Sequence, residues 1–176
     1  MNSSLDIIGS YLIGGIVVLG LVGVMLVFNG KNQETKLSEI AQYTSQQIGD
    51  VIEHDFNKLG YGVPGNKIVS ISDSSITFLA DLHNNQTIDS VTYSTLKQNN
   101  NYYLSRKVVE GAKTKQWNTQ IKNFSIAGID STGNATYTIS NIKGINIKLL
   151  ITKEGYANSR YGIGAFWQRK FYPPNL

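Results

Sequence analysis

The chain has no cysteine, which excludes a disulfide framework, a thiol nucleophile and a cysteine-ligated zinc, and leaves the redox compartment unread. Histidine is nearly as scarce. His54 and His83 are the only two in 176 residues, neither falls in an H-E-x-x-H pattern, and both read as solvated or capping side chains. Glu53 and Asp55 flank His54, but adjacent residues on a helix point in diverging directions, so a structural or electrostatic use is expected of them. No G-x-S-x-G elbow is present, and the glycines of GYGVPG lack the Gly-Lys-Ser/Thr ending of a phosphate-binding loop. The expectation is a protein without enzymatic activity, cofactor, metal or small-molecule substrate. Charge is also sparse. Sixteen basic residues against 12 acidic ones give +4, scattered along the chain with their densest pair at Arg169 and Lys170, so no nucleic-acid groove is drawn.

What the sequence does have is one long uncharged run. Ile7 to Phe28 contains no ionisable charge, and about 22 residues rising about 1.5 Å each reach across a hydrocarbon core of about 30 Å. A cleaved export signal has a basic front, a shorter apolar core and a small-x-small site; residues 1–30 hold no Lys, Arg or Ala, so the segment is expected to be retained. Ser10, Gly14, Gly15, Gly20 and Gly23 place small side chains along it, which allow helix backbones to approach closely in lipid. Glycine is also simply common in membrane helices.

After Gly30 a helical period continues, with Leu37, Ile40, Ala41, Ile48, Val51, Ile52, Phe56 and Leu59 on one stripe and charges opposite. Gly60, Gly62 and Pro64 give the stop, and Gly30 is a place for a bend. On this arrangement, Asp50, Glu53 and Asp55 are expected to approach Arg106 or Lys107. From Ile68 the period changes to two. Strands are expected in KIVSIS, SITFLADL, SVTYSTLK, YYLSRKVV, IKNFSIAGI, ATYTIS, GINIKLLIT and GIGAFWQRKFY. Ile145, Ile147, Leu149 and Ile151 should face a core while Asn146, Lys148 and Thr152 face water. Short polar turns at residues 72–74, 99–101 and 130–134 should close antiparallel hairpins. The expected class is α+β: residues 1–30 a transmembrane helix, 31–62 its amphipathic continuation and 63–176 an antiparallel β domain with the helix packed on it.

Several blocks, in order, carry a resemblance: IEHDFNKLGYGV, DSSITFLADL, VTYSTL followed by YYLSRKVV, WNTQIKNFSIAGIDSTGN, and the ending WQRKFYPPNL. Together with the apolar-then-amphipathic helix, the chain resembles type IV pilin-like proteins, in particular the W-type minor pilins and the J-type pseudopilins of type II secretion. The basic leader, Gly-Phe-Thr and early Glu of that family are not found; Asp6 stands just ahead of the apolar run instead. The resemblance implies a filament subunit held in the bacterial inner membrane, with its C-terminal domain periplasmic until assembly or displayed on an extracellular filament. It implies that the partners are other pilin-like subunits, met through the first helix, and that Asp6 meets a terminal amine on a neighbour. Lys31 and Lys36 after the span favour, by charge alone, the opposite orientation.

The ending also gathers Arg160, Tyr161, Trp167, Arg169 and Tyr172, a mixture of aromatic and basic groups suited to a partner surface. The competing reading is a final strand with Phe166 and Trp167 partly in the core. From these features a second class stays open, a bitopic membrane-anchored binding domain that never polymerises.

Overall fold

The computed structural model describes the backbone of residues 3–153 and 163–176 and the side chains of residues 7–152 and 163–176. One helix, α1 (Ser3–Asn57), covers both the apolar and the amphipathic stretches and runs through Gly30 without interruption. Its 55 residues make it about 80 Å long at the usual rise. Among the described residues only its second half packs against the sheets.

There the buried seam is Ala41, Ser45, Ile48, Gly49, Ile52, Asp55 and Phe56, with Leu59 just beyond the helix end. Ile40 and Val51, expected on the seam, remain 50% and 37% exposed. At about 100° per residue they stand roughly 100–120° from its centre, so the buried seam is narrower than the aliphatic stripe. Asp55 corrects the opposite assumption, that every charge lies on the wet side. The helix stops at Asn57, ahead of the glycines, and Gly60 and Gly62 turn the chain with φ of +77° and +71°. Gly60 N then donates to Leu79 O at 2.9 Å, so the exit turn is sewn to the first sheet.

Among the described residues nine strands form two antiparallel sheets. β1 (Ile68–Ile71), β2 (Ser75–Ala80), β3 (Asp89–Gln98), β4 (Asn101–Glu110) and β5 (Lys113–Ile121) make a five-stranded meander in sequence order. β6 (Asn123–Ile129), β7 (Ala135–Thr136), β8 (Gly144–Lys153) and β9 (Ile163–Phe171) form the second sheet in the order β7-β6-β8-β9. The expected hairpins are present. Asn99 and Asn100 carry φ of 47° and 65° between paired Gln98 and Asn101, as a two-residue primed turn requires. Asp130 holds the β6–β7 turn by accepting from Thr132 N and Asn134 N at 2.8 and 2.9 Å.

β5 lies outside the strands that the period-two pattern marks. KTKQWNTQI has only Trp117 and Ile121 as apolar members and is mostly solvent-exposed, because as a sheet edge it needs backbone pairing with β4 more than a buried face. ATYTIS yields only the two-residue β7, after which Ile139–Asn141 turn as a 3-10 helix. In β8 the alternation holds: Ile145, Ile147, Leu149 and Ile151 are fully buried.

The core lies between the helix and the inner faces of both sheets. Phe56 sits at its centre, with ring centroids 4.9 Å from Phe78, 5.7 Å from Tyr93 and 5.4 Å from Phe171. One side chain of the helix thus touches β2, β3 and β9, and the three layers close around it. The architecture is α+β, a long N-terminal apolar helix packed at its far end against antiparallel sheets.

Candidate functional site

The first half of α1 is the most unusual surface of the molecule. Its large apolar residues from Ile7 to Phe28 are between 47% (Val22) and 79% (Tyr11) exposed. Of the described residues, this is the one helix long and apolar enough to cross a membrane, with a mean hydropathy of 2.6 and no burial in its most apolar 18-residue stretch. Exposing a run of this size to water opposes the hydrophobic effect along its whole length, so some apolar medium must cover it.

The glycines of this half face open space among the described residues. A Cβ added at Gly9, Gly14, Gly15, Gly20, Gly23 or Gly30 would meet nothing within 4 Å. Elsewhere glycine is demanded: a Cβ at Gly49 would stand 2.6 Å from Trp167 Nε1, one at Gly128 2.6 Å from Thr136 O, and one at Gly144 2.7 Å from the Tyr172 ring. Glycine inside a helix costs about 0.5–1 kcal/mol relative to alanine, and at these six positions no contact within the chain offsets it. At about 100° per residue Gly9, Gly20, Gly23 and Gly30 fall within one arc of about 80°, while Gly14 and Gly15 lie on two other sides. Gly20 and Gly23, with Val24, Val27 and Phe28, floor a shallow apolar groove. Ser10 lies one turn before Gly14. Asp6 belongs to the helix, but its side chain is outside the described residues.

At the other end of α1 a polar latch crosses the core. Asp55 is fully buried, and Arg106 on β4 grips it with both arms, Nε to Oδ2 at 2.6 Å and one Nη to Oδ1 at 2.9 Å. Tyr93 on β3 donates its hydroxyl to Oδ2 at 2.6 Å. Burial pushes the Tyr93 hydroxyl well above its ordinary value, and the neighbouring Asp55 carboxylate adds to the push. For Arg106, burial works against the charge, yet the hydrogen bonds and charge of Asp55 outweigh it and raise its value. The expected approach of Asp55 to Arg106 is therefore observed as an internal contact. Glu53 pairs instead with Arg169 on β9, while Asp50 and Lys107 stay exposed.

This arrangement divides the aromatic ending. β9 alternates, so Ala165, Trp167, Arg169 and Phe171 face the helix while Phe166, Gln168 and Lys170 face out. Trp167 lies over Gly49 and stands 6.3 Å from Phe171, and Arg169 is engaged by Glu53. Tyr172 covers Gly144 yet is 62% exposed, as is Phe166. Arg160 and Tyr161 lie outside the described residues.

The loop from β2 to β3 gathers a third group that sequence spacing did not reveal. Asp81 accepts from Asn85 N at 3.1 Å and Gln86 N at 2.8 Å, folding DLHNNQTID into a tight turn. Burial pushes the Asp81 carboxyl up, but the backbone N–H groups outweigh it and hold the carboxyl below its ordinary value. Lys58, just past α1, donates to Leu82 O at 2.5 Å and Asn84 Oδ1 at 3.2 Å. The turn brings His83 Nδ1 to 3.3 Å from Asp89 Oδ2, and the end of β4 brings Glu110 beside both, each offering one ligand atom within 4.8 Å of the others. His83 and Glu110 lie on separate elements, and only the β3–β4 hairpin makes them neighbours. A further concavity of about 680 Å³ lies between β1 and the 3-10 turn, where Lys67 and Lys143 are the ionisable lining residues.

Comparison with protein-family models, with curated proteins and with solved structures finds no match to this chain.

Proposed function

We propose that the chain is a non-enzymatic structural subunit of a type IV pilus-like or type II secretion pseudopilus filament. It is stored in the bacterial inner membrane through α1, with its β domain on the periplasmic side, and is drawn into a helical assembly with other pilin-like subunits. The observation that carries this reading is the set of six helix glycines at which an added Cβ would meet nothing within 4 Å among the described residues. A plain anchor needs only apolar bulk, and leucine would supply more of it. A pair of helices needs small residues on one face. Glycines on three sides of one helix suit a bundle in which each helix touches several neighbours. In that setting the exposed apolar surface exchanges lipid for protein, and Asp6 finds its counter-charge in a terminal amine of an adjacent subunit, as the family resemblance suggests.

The test is shearing of intact cells followed by blotting of the sheared and membrane fractions. A filament subunit is recovered in the sheared fraction together with partner subunits. The second reading, a bitopic anchored binding domain, draws on the outward-facing Phe166 and Tyr172, each 62% exposed at the β9 end of the second sheet. It predicts that all of the protein stays with the membranes.

A further inference from the structure

We propose that His83, Asp89 and Glu110 form a binding site for a divalent transition-metal cation, Zn²⁺ in the first instance, that clamps the β2–β3 loop to the end of β4. The proposal stands whether or not the chain assembles into filaments. Its starting point is Asp89. The carboxylate is fully buried, and its Oδ2 is supplied by Leu82 N at 3.2 Å and by His83 Nδ1 at 3.3 Å. Its Oδ1 is buried with no hydrogen-bond partner among the described residues. A buried carboxylate oxygen without a donor or cation is strongly disfavoured, so the site calls for positive charge.

The surroundings supply the rest of a ligand set. His83 and Glu110 point one atom each at Asp89 within 4.8 Å, and their side chains are 47% and 26% exposed, so both are free to adjust. A nitrogen and an oxygen bound at about 2.0–2.2 Å to one tetrahedral zinc lie about 3.3–3.5 Å apart, so at 3.3 Å the metal can take the place of the proton between His83 Nδ1 and Asp89 Oδ2, the His83 proton residing on Nε2. One imidazole with two carboxylates is a mixed donor set that fits Zn²⁺ better than Ca²⁺ or Mg²⁺, which favour all-oxygen shells. The exposed side of His83 leaves room for water as a fourth ligand. The groups now near Glu110 are weakly held: Lys115 Nζ at 3.5 Å, 64% exposed, and Asn85 Nδ2 at 3.4 Å. Lys115 competes with the cation for Glu110 and has to swing away when the metal binds. Because Lys58 at the end of α1 holds Leu82 O in the same loop, a bound metal also stiffens the seat of the helix.

The experiment is isothermal titration of the untagged full chain in detergent micelles with ZnCl₂, and in parallel with CaCl₂. The expected result is one Zn²⁺ per chain. His83→Ala and Glu110→Gln should each weaken binding by about tenfold or more, Lys115→Gln should tighten it, and His54→Ala should leave it unchanged. The ligand variants sit on exposed or half-buried groups, and circular dichroism checks that they fold. Absence of stoichiometric Zn²⁺ binding, binding that survives His83→Ala, or loss of binding on His54→Ala instead would each overturn the proposal. So would preferential Ca²⁺ binding indifferent to His83.

Discussion

Gly49 and Trp167 meet with no room between them: the indole of β9 lies where a side chain on the helix would otherwise begin, 2.6 Å from the position of a Cβ. At this crossing the helix can lie this close to β9 only with a residue that has no side chain. Gly49→Val should force Trp167 out of its seat, and overpacking of this kind costs about 1–3 kcal/mol. Thermal unfolding followed by circular dichroism checks it, with a lower midpoint expected. Gly30→Ala, where a Cβ meets nothing, serves as the control and should leave the midpoint level or slightly raised.

The Asp55–Arg106 pair makes a different kind of prediction, because its members depend on one another. Arg106→Met leaves a carboxylate buried without its cation, and breaking such a pair costs about 3–5 kcal/mol. Asp55→Leu combined with Arg106→Met removes both charges and should recover much of that loss, even though Tyr93 then loses an acceptor. Denaturant unfolding of the single and double variants reads the coupling directly.

Acid should loosen the two loops that Asp81 and Asp130 hold. The Asp81 carboxyl, raised by burial but lowered further by the N–H groups of Gln86 and Asn85, and the Asp130 carboxyl, lowered first by the Thr132 hydroxyl, both lie below the ordinary value of 3.8 in the folded chain. A depressed carboxyl contributes stability that is fully present above its unfolded value and is lost as pH falls through its folded one. These two groups should therefore leave the unfolding midpoint unaffected from pH 7 to about 5 and begin to lower it below about pH 4. Asp81→Asn should flatten that acid limb in a titration of midpoint against pH.

For the apolar half of α1 the expectation separates insertion from assembly. Replacing Gly14, Gly15 and Gly20 together by leucine raises hydrophobicity and blocks close backbone approach. Membrane insertion should be unchanged while copurification of partner subunits is lost. Asp6→Ala should behave alike, since removing a charge eases insertion but takes away the counterpart of a terminal amine. Blots of membrane and sheared fractions score both, and equal recovery of variant and wild type in the sheared fraction would reject the packing role.

Much of this fold was legible because strong periodicities have one solution. The apolar run had to be a helix, and the Ile145-to-Ile151 alternation had to be a strand with one buried face. What was hidden depends on long-range pairing. β5 carries almost no hydrophobic signal and exists because β4 offers it a ladder. The two-sheet split cannot be read from strands taken singly. The approach of Asp55 to Arg106, 51 positions away, follows from laying the helix on the sheet, but its full burial and the choice of Asp55 over Asp50 and Glu53 do not. The His83, Asp89 and Glu110 group was unreadable for the same reason, since a turn and a hairpin must both form before its members become neighbours. Among the ending's aromatics, only the β9 alternation decides that Trp167 turns to the helix and Phe166 to solvent.

The most direct measurement of the central claim uses the absence of cysteine. A single cysteine placed at Val17 or Val24, positions 55% and 67% exposed on the apolar half of α1, is the sole thiol in the chain, so any crosslink through it reports a neighbour of that helix. Cells carrying either variant are treated with a maleimide–diazirine crosslinker, irradiated and then sheared. A filament subunit should appear in the sheared fraction as adducts of at least twice its mass, with the crosslinked partners identified as pilin-like chains or copies of itself. Uncrosslinked monomer found only in the membrane fraction, at both positions, would contradict the account.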